Sequence, residues 1–363
     1  GKFVKDEFAV YSNGVARHGR QKVFAVDPAD LQRGAMIGRG VSSVVQLALH
    51  KPTQTVLALK IMNVFDKSKR HQLIRELTAL YDADCHALVQ FFGAFYNEGE
   101  ITLCLEYMDG GSLSHVLTQV GPMPEDAIAA IGYQVLWGLA YMKHEKRLHR
   151  DLKPSNLLLA SDGRVKLSDF GVSADLRSSI GVATSVTGTF AYLSPERIKH
   201  EAYSFPADIW AFGLCLLEAA HGAYPYPLAS SKSYIELADA IVNGDVPAAP
   251  PHASPELVQL LDLCLHKEPE QRMPPDVLLG SPFFTSHGIK DLATATATLR
   301  AWVARVRSGG GVATDLSPAP EGAVASLAAA TSPPQGASTE VVGGVPASAP
   351  GGDGEEDDVT LAG

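Results

Sequence analysis

The first third of the chain has the apolar pattern of a β-sheet. Between residues 36 and 61 there are two runs rich in β-branched residues, and within each run apolar and polar positions alternate. The two runs flank a short loop that contains Pro52. Residues 101–107 form another run of this kind, while residues 69–80 repeat their apolar positions at helical spacing. Because alternation favours strands and a 3.6-residue period favours a helix, this part predicts a sheet with one helix.

The pattern becomes mainly helical from about residue 112 onward. Apolar residues recur at helical spacing between residues 128 and 142, and residues 210–220 form an apolar stretch that contains Glu218. That stretch is too short to span a bilayer, so we interpret it as a buried helix. The pattern therefore predicts an α+β fold in which a small β-rich part precedes a larger helical part.

Both ends of the chain lack such a pattern. The first residues mix charges and glycines without clear periodicity, which indicates an extension with partial order. The last residues are mostly Ala, Gly, Ser and Pro, and such a segment cannot bury enough apolar surface to offset its conformational entropy. We therefore divide the chain into an N-terminal extension, 1–24; a first lobe and hinge, 25–108; a second lobe, 109–288; a helical extension, 289–307; and a disordered acidic tail, 308–363.

The acidic tail accounts for most of the net charge. The formal charge of the 363 residues is −10, but eight acidic residues and no Lys or Arg follow Arg307. The rest of the chain is therefore near balance, and no basic face is implied that would favour nucleic acid or a membrane surface. We expect neither partner, and we interpret the tail as a solubilising end in preference to an interaction arm.

The cysteine pattern is typical of an intracellular protein. Four cysteines occur without CxxC spacing in apolar or mixed surroundings, and no apolar run follows a basic N-terminal start. These features favour reduced thiols and exclude a disulfide framework or a structural metal. We expect a cytoplasmic protein, with the nucleus as a second compartment.

A pair of glycines between two strand-like runs is the first candidate for chemistry. Backbone amides at Gly38 and Gly40 can approach phosphate oxygens because no Cβ intervenes, although an ordinary tight turn also explains the pair. A dinucleotide loop would need a helix directly afterwards and a Walker loop would need Gly-Lys-Ser/Thr, whereas residues 44–49 predict a strand. The glycines alone leave a phosphate loop and a tight turn open.

A lysine among apolar neighbours follows this loop. Lys60 ends the strand-like run Val-Leu-Ala-Leu-Lys, and a buried cation there needs an anion to offset its desolvation. Together with the glycines, Lys60 becomes a candidate for binding the α- and β-phosphates of a nucleotide. Glu76, on the predicted helix, is the natural carboxylate to position it, although each residue alone could be solvated.

Two motifs in the middle of the chain make the pattern specific. Residues 148–156 read Leu-His-Arg-Asp-Leu-Lys-Pro-Ser-Asn, and Asp169-Phe170-Gly171 begins thirteen residues after Asn156. HRDxKxxN and DFG, in this order behind a glycine loop and a strand lysine, resemble the protein kinase family. The resemblance covers roughly residues 30–288 and implies the bilobal protein kinase fold, with the ATP site between the lobes.

The resemblance also implies catalytic roles, which suit phosphoryl transfer. That reaction needs charge neutralisation and in-line positioning more than covalent catalysis. Asp151 would accept or orient the proton of the substrate hydroxyl, and Lys153 would neutralise the transferring phosphoryl group. Asn156 and Asp169 would bind Mg²⁺, which prefers oxygen ligands. The implied cofactors are thus ATP and Mg²⁺.

The same resemblance implies ATP contacts and structural residues. ATP would meet the glycine loop, the roof of the sheet, the gatekeeper Leu105, the hinge and the floor, which comprise Gly38, Arg39, Gly40, Ser43, Val45, Ala58, Lys60, Leu105, Glu106, Met108 and Leu158. Glu196, within Ser-Pro-Glu, would pair with Arg272, and Asp208 would anchor the catalytic loop. The serines that replace a loop glycine and the APE alanine touch no proposed metal ligand.

Three further stretches resemble the mitogen-activated protein kinase kinases. They read Glu-Tyr-Met-Asp-Gly-Gly-Ser-Leu from residue 106, Asp-Phe-Gly-Val-Ser-Ala from residue 169 and Tyr-Leu-Ser-Pro-Glu-Arg-Ile from residue 192. The resemblance implies phosphorylation of both Thr and Tyr in the activation loop of a downstream MAP kinase. Its other implied partner is an activating kinase of the upstream tier.

The expected activation sites are Ser179 and Ser185. They are separated by five residues, which resembles the activation motif of plant-type members of that family, and Thr184 is the alternative second site. A phosphate adds about −1.5 to −2 charges and could pair with Arg150. We therefore expect phosphorylation to switch the kinase.

Other interpretations remain open at this point. The chain could be another serine/threonine kinase of the same cascade, or a pseudokinase scaffold, although all the catalytic residue types are present. Arg17, Arg20 and Lys22 precede Phe24 and Val26 in the basic-then-apolar order of a MAP kinase docking motif. Ordinary solvated charge before a strand explains that order as well.

Overall fold

The structure covers nearly all of the segment for which the sequence predicts a globular fold. The computed structural model describes residues 2–5, 7–18, 23–40, 43–65, 67–169, 190–226, 234–308, 319 and 322–329. The expected phosphorylation sites Ser179, Thr184 and Ser185 lie outside these residues.

An antiparallel sheet of five strands forms the small lobe. Its strands pair in the order β5-β6-β7-β9-β8, with the bounds β5 Leu31–Arg39, β6 Ser43–His50, β7 Thr55–Asn63, β8 Phe91–Asn97 and β9 Glu100–Glu106. The turn between β8 and β9 consists of Glu98 and Gly99, whose φ angles of +43° and +87° suit a tight hairpin. The strands that the sequence predicts therefore form one sheet.

The one helix of this lobe lies between β7 and β8. Helix α1 runs from Lys67–Tyr81, two residues earlier and one residue later than the apolar spacing predicts. Its buried face includes Leu73 and Leu77, which belong to the main hydrophobic core. Their spacing of four residues places them on the same face of the helix. This face fixes which side of α1 points toward the sheet.

The segment predicted as a partly ordered extension forms a sheet of its own. Four antiparallel strands follow one another in a meander, β1 Lys2–Lys5, β2 Phe8–Tyr11, β3 Gly14–Arg17 and β4 Val23–Ala25. Phe8, Val10 and Val15 are buried in the main core. Strands of three or four residues are too short to show a clear period, so the sequence pattern missed this N-terminal sheet.

The large lobe is mainly helical. Its helices are α2 Leu113–Val120, α3 Glu125–His144, α4 Pro195–Ile198, α5 Pro206–His221, α6 Tyr234–Val242, α7 Pro255–Cys264, α8 Pro275–Leu278, α9 Pro282–Ser286 and α10 Leu292–Ser308. Single 3-10 turns occur at Pro28–Asp30, Pro154–Asn156 and Pro269–Gln271. A two-stranded hairpin, β10 Leu157–Leu159 and β11 Val165–Leu167, lies between α3 and α4 in sequence.

Two helices form the centre of the large lobe. Helix α5 contains the apolar stretch predicted as a buried helix, and Trp210 within it is fully buried. A Cβ on Gly213 would lie 2.8 Å from Cys264 Cβ, so glycine allows α7 to pack closely against α5. Helix α3 is buried along most of its length and contacts both α5 and α10. These contacts build a rigid base beneath the hairpin.

The expectation of a disordered tail is wrong for one segment. Helix α11, Ala323–Ala329, lies on β5 and β6, where Leu327 is 5% exposed and joins a cluster with Leu47 and Leu49. A Cβ on Gly34 would lie 2.7 Å from Leu327 Cδ1, so the missing side chain leaves room for the helix. Composition suggested disorder because it could not show that another part of the chain offers an apolar groove. The other tail residues, apart from Ser308, Ala319 and Gly322, lie outside the described part.

Most of the cysteine side chains are buried, and none of the described helices could span a membrane. All four cysteines are free, and Cys104, Cys215 and Cys264 are buried. Burial raises the pKa of the Cys104 thiol to about 12. Among the described residues, every helix is too short or too polar to cross a membrane.

Candidate active site

Lys60 lies at the centre of a cluster of charged residues between β7, α1 and the end of the hairpin. Its Nζ donates to Glu76 Oε1 at 2.7 Å and to Asp169 Oδ1 at 2.5 Å. The side chain of Lys60 is only 11% exposed and that of Glu76 is 2% exposed. The two residues that the sequence proposed as a pair thus meet, and Asp169 of the DFG motif joins them.

The two carboxylates keep Lys60 charged in this site. Burial alone would lower the pKa of Lys60, but Glu76 and Asp169 raise it above its ordinary value. Burial alone would raise the pKa of Asp169, but Lys60 holds it below its ordinary value. Burial raises the pKa of Glu76 despite the attraction of Lys60. Lys60 is therefore a fixed cation near neutral pH, and Asp169 is a fixed anion.

The catalytic loop folds around the carboxylate of Asp151. Lys153 Nζ lies 3.0 and 2.9 Å from its two oxygens, and Asn156 Nδ2 donates to Oδ2 at 3.0 Å and to the Asp151 carbonyl at 2.7 Å. A 3-10 turn over Pro154–Asn156 brings these side chains to one side of the loop. The short spacing of the motif thereby becomes a compact group of one carboxylate, one ammonium and one amide.

The β10–β11 hairpin explains the spacing between the two motifs. Leu157 pairs with Leu167, so the residues just outside the hairpin, Asn156 and Ser168, are neighbours. Ser168 N donates to the Asn156 carbonyl at 2.9 Å, and Asp169 comes next. Thirteen residues of chain thus return Asp169 to the side of Asn156.

Asp208 on α5 holds the loop from below. Its carboxylate accepts the backbone N–H groups of His149 and Arg150, both at 2.8 Å. Arg150 has a φ of +68°, a conformation that costs a residue with a side chain about 1–2 kcal/mol. His149 is completely buried, and burial lowers its pKa. Asp208 therefore stabilises a backbone that would otherwise relax.

Arg197 is a further support of the loop that the sequence reasoning missed. Its Nη1 donates to the carbonyl of Arg150 at 2.7 Å, and its guanidinium lies over the ring of Tyr203, 4.8 Å from the centroid. Only its proximity to the Ser-Pro-Glu motif in sequence could have suggested such a role. The strained residue Arg150 is thus held at both its N–H and its C=O.

The predicted ATP contacts lie on the small-lobe sheet and on the β10–β11 hairpin. Gly40 N donates to Ser43 O at 2.8 Å and closes the glycine loop, in which Gly38 pairs with Val45 and Arg39 with Val44. On the sheet, Val45 pairs with Lys60 and Ala58 pairs with the gatekeeper position Leu105. Leu158 lies on β10, where it forms a bridge with Ser112. The loop and roof residues therefore lie on the sheet of the small lobe, and the floor residue lies on the hairpin.

The hinge is fixed by ion pairs that were not predicted. The Glu106 carboxylate pairs with Lys166 Nζ on β11 at 2.7 Å and with Arg164, the residue before β11. Met108 is 3% exposed, and its carbonyl accepts Gly111 N at 3.3 Å. The sequence assigned Glu106 a backbone role only, whereas its side chain connects the hinge to the hairpin.

The residues after the hinge tie it to the hairpin a second time. Gly110 N donates to Leu159 O at 2.9 Å, and a Cβ on Gly110 would lie 2.8 Å from that oxygen. Asp109 accepts Ser161 N at 2.7 Å and Ser161 Oγ at 2.5 Å. The Asp-Gly-Gly sequence therefore has a structural explanation, since it fastens the hinge to the strand that carries Leu158.

The predicted pair of Glu196 and Arg272 forms in full. Arg272 Nη1 and Nη2 each donate to one Glu196 oxygen at 2.8 Å, and the Arg272 side chain is 0% exposed. Three backbone carbonyls accept its remaining donors, those of Pro206, His266 and Lys267. Burial alone would raise the pKa of Glu196, but Arg272 holds it below its ordinary value. The pair therefore joins α4, which carries Glu196, to the chain that follows α7.

The oxygen donors of Asn156 and Asp169 fit Mg²⁺. Asn156 donates to Asp151 through its amide nitrogen, and neither of these two hydrogen bonds involves its amide oxygen. Asp169 is held as an anion beside it, and hard oxygen ligands are those that Mg²⁺ prefers. No group of three or more His, Cys, Asp or Glu residues suited to a metal occurs in the described part of the chain. Two protein ligands per site are usual where phosphates supply the others.

The basic segment before Phe24 is used inside the molecule. Arg17 is 14% exposed and pairs with Glu7 at 2.9 Å and with Asp82. Phe24 contacts Tyr81 with ring centroids 5.2 Å apart. Two members of the suggested docking motif are therefore occupied, while Arg20 and Lys22 lie outside the described residues.

Comparison with known proteins agrees with this geometry. The sequence matches the family described as "Protein kinase domain" over residues 31–284. It is 43% identical over 265 residues to "Mitogen-activated protein kinase kinase 3" of Arabidopsis thaliana, covering 71% of this chain and 51% of the relative. It is 44% identical over 262 residues to "Mitogen-activated protein kinase kinase 1" of the same plant, covering 70% and 74%. It is 41% identical over 271 residues to "Mitogen-activated protein kinase kinase SIPKK" of Nicotiana tabacum, covering 73% and 76%. The match thus spans about half the length of one of these relatives and three quarters of the others.

Proposed function

The chain belongs to the protein kinase family and, within it, to the mitogen-activated protein kinase kinases, and we propose that it transfers the γ-phosphate of ATP to a MAP kinase. The acceptors would be the Thr and the Tyr of the activation loop of that MAP kinase. The observation that carries the proposal is the hydrogen bond of Lys60 to Asp169 beside the catalytic loop of Asp151. Asn156 joins the two groups, because its side chain donates to Asp151 and its carbonyl accepts the N–H of Ser168, the residue before Asp169. These are the residue types that phosphoryl transfer requires.

Each residue would act on one part of the reaction. Lys60, held by Glu76, binds the α- and β-phosphates, and Asp151 accepts or orients the proton of the attacking hydroxyl. Lys153 neutralises the transferring phosphoryl group. Asn156 and Asp169 would hold Mg²⁺, which would supply charge neutralisation at the phosphates. The walls of the nucleotide site exclude water, which strengthens these electrostatic effects.

The ATP-binding residues follow from the same fold. The glycine loop covers the phosphates, Val45 and Ala58 lie above the adenine, and Leu158 lies below it. The backbone of the hinge, from Glu106 to Met108, hydrogen-bonds the adenine, and Leu105 is the gatekeeper. The connections between hinge and hairpin support this assignment, because they keep the floor and the hinge in a fixed relation.

The activity is switched by an upstream kinase in this proposal. The phosphorylated residues would be Ser179 and Ser185, with Thr184 as the alternative, and Arg150 would receive a phosphate. We also propose a cytoplasmic location, with the nucleus as a second compartment. The buried free thiols support a reducing compartment.

The test of the proposed substrate uses a MAP kinase whose own catalytic lysine is replaced. The full chain, first activated by an upstream kinase, is incubated with MgATP and this substrate. We expect phosphate on both Thr and Tyr of the substrate loop and loss of that signal with Asp151→Asn. The matched control is Asp276→Asn on the surface of the large lobe, which should retain activity. Phosphate on neither residue, or on only one of them, contradicts the dual-specificity proposal.

The test of the switch uses substitutions in the expected activation sites. A Ser179→Ala/Ser185→Ala variant should not respond to the upstream kinase, and Thr184→Ala should respond normally. Full activation of the double variant would contradict the site assignment. Loss of activation with Thr184→Ala alone would transfer the role to Thr184.

A further inference from the structure

The N-terminal sheet packs against the end of helix α1, the helix that carries Glu76. Tyr81, the last residue of α1, is 2% exposed. It makes edge-on contacts with Phe8 and Phe24, with ring centroids 5.7 and 5.2 Å apart. Phe24 also packs against Phe91 of β8 at 4.9 Å. The first strands of the chain therefore cover the end of α1 with two aromatic contacts, and a third contact joins them to β8.

Asp82, the first residue after α1, connects three parts of the chain. It pairs with Arg17 of the N-terminal sheet and accepts Arg147 Nη2 at 3.1 Å. Burial alone would raise the pKa of Asp82, but both arginines hold it below its ordinary value. Arg147 lies two residues before His149, at the start of the catalytic loop. We call these three residues the Arg17–Asp82–Arg147 bridge.

The bridge also supplies what α1 lacks at its C-terminal end. The last turn of α1 contains no basic residue, although the helix dipole favours positive charge there. Arg147 Nη1 donates to the carbonyl of Ala79 at 3.2 Å, one of the carbonyls that have no partner within the helix. Arg17 lies over the ring of Phe8, 5.5 Å from its centroid, and thereby joins the aromatic cluster. Two arginines from other elements thus complete the helix end.

The position of this end determines the position of Glu76. Asp82 lies six positions after Glu76, which is about 9 Å along a helix with a rise of 1.5 Å per residue. Glu76 Oε1 lies 2.7 Å from Lys60 Nζ, and a rotation or shift of α1 would move the two apart. Within the described part of the chain, the second oxygen of Glu76 is buried without a hydrogen-bond partner, so the bond to Lys60 is the main polar restraint seen on this side chain.

We propose that the N-terminal sheet holds α1 in the position where Glu76 meets Lys60, and that Arg17 and Asp82 are positioning residues for phosphoryl transfer. Arg17 acts on Asp82 and the end of α1, and α1 carries Glu76 to Lys60. The proposal rests on the phosphotransfer activity proposed above but is independent of the identity of the protein substrate. It also gives Arg17 a role different from MAP kinase docking.

The test is a double-mutant cycle between Arg17 and Glu76 in the full chain. The variants are Arg17→Ala, Glu76→Gln and the combination, and Arg17→Lys serves as the conservative rescue. For each variant we measure kcat/KM for ATP and the Kd of a fluorescent ATP analogue. Thermal unfolding verifies that each variant is folded. Arg305→Ala is the matched control, because its ion pair with Asp126 is exposed on the large lobe.

We expect Arg17→Ala to lower kcat/KM and to weaken analogue binding about fivefold, as for loss of a partly buried ion pair. Arg17→Lys should recover most of this loss, and Arg305→Ala should show none. Because Arg17 acts through Glu76, Arg17→Ala should have little further effect when Glu76 is already Gln. An equal loss in both backgrounds would show that Arg17 affects stability only and would overturn the proposal. A Kd of the analogue for Arg17→Ala within about 1.5-fold of the value for the unchanged protein would also overturn the proposal, because that change is smaller than the loss of such an ion pair predicts.

Failure of the proposed function has a different signature. If no MAP kinase is phosphorylated, the proposed substrate is wrong, but the cycle on the Kd of the analogue still decides the role of Arg17. If analogue binding shows the expected coupling without any phosphotransfer, Arg17 positions α1 for nucleotide binding, and its role in phosphoryl transfer falls with the proposed activity.

Discussion

Replacing Asp208 by Asn should reduce catalysis much more than ATP binding. The Asp208 carboxylate is 6% exposed and accepts two backbone N–H groups, each at 2.8 Å. An Asn side chain of the same shape has one acceptor oxygen, so its NH₂ group must face one of the two donors. The variant therefore loses at least one of the two bonds that hold His149 and Arg150.

The magnitude follows from the bonds and from the backbone strain. A hydrogen bond to a charged group is worth about 1.5–3 kcal/mol, so the free energy of unfolding should fall by about 2–3 kcal/mol. The left-handed conformation of Arg150, with φ of +68°, then relaxes, and Asp151 is the next residue. Misplacement of a catalytic group by about 1 Å can cost about 100-fold in rate. We expect kcat to fall by about this factor, while KM for ATP changes less than about threefold, since Lys60 and the glycine loop are untouched.

Steady-state kinetics with the kinase-inactive MAP kinase and urea unfolding measure the two effects. Asp276→Asn is the control, because Asp276 is 59% exposed and pairs with Lys143 on the surface. A folded Asp208→Asn protein with kcat within threefold of the unchanged protein would refute the reasoning. A rise in KM for ATP as large as the fall in kcat would also refute it, because the defect would then lie in nucleotide binding.

Three further predictions concern stability. Arg272→Met leaves the buried Glu196 carboxylate without its partner, so urea unfolding should show a loss of about 3–5 kcal/mol; a loss below 1 kcal/mol would contradict the role of the pair. The pKa of Glu196 in the folded protein is below its ordinary value of 4.5, so its contribution is present above pH 4.5 and is lost as the pH falls through the lower value. The difference in unfolding free energy between the unchanged protein and Glu196→Gln should therefore become smaller from pH 6 to pH 4. A difference that stays constant over this range would contradict the lowered pKa of Glu196. Leu327→Ala should speed hydrogen exchange of the Ala323–Ala329 amides by about tenfold or more, the equivalent of about 1.4 kcal/mol. The exposed control Ser326→Ala should leave the exchange rates unchanged. Unchanged exchange in Leu327→Ala would mean that Leu327 does not anchor the helix.

Much of the local structure was predictable from periodicity. The spacing of apolar residues predicted a helix over 69–80 and a strand over 101–107, and the structure has Lys67–Tyr81 and Glu100–Glu106. The N-terminal sheet was not predictable in this way, because its strands have only three or four residues. Helix α11 was missed for a different reason, since its Ala-rich sequence has few large apolar residues, and Leu327 is buried where Gly34 leaves room for it.

The site was predictable in its residue types and only partly in its contacts. Lys60 and Glu76 were expected to pair because a buried lysine needs an anion, and they do. The ion pair of Glu106 with Lys166 joins residues 60 positions apart, and nothing near either residue in sequence indicates it. The same is true of the bond from Arg197 to Arg150.

The sequence by itself determined which chemical groups are present and the order in which they occur along the chain. Motif order and residue type suffice for that, because phosphoryl transfer requires particular charges and oxygen ligands. Only the tertiary structure decided that Lys60 and Asp169, 109 residues apart, share a hydrogen bond, and that Phe8 and Phe24 pack against the helix of Glu76. The physical reason is that local patterns encode strands and helices, whereas contacts between distant residues depend on how the whole chain buries its apolar surface and pairs its charges.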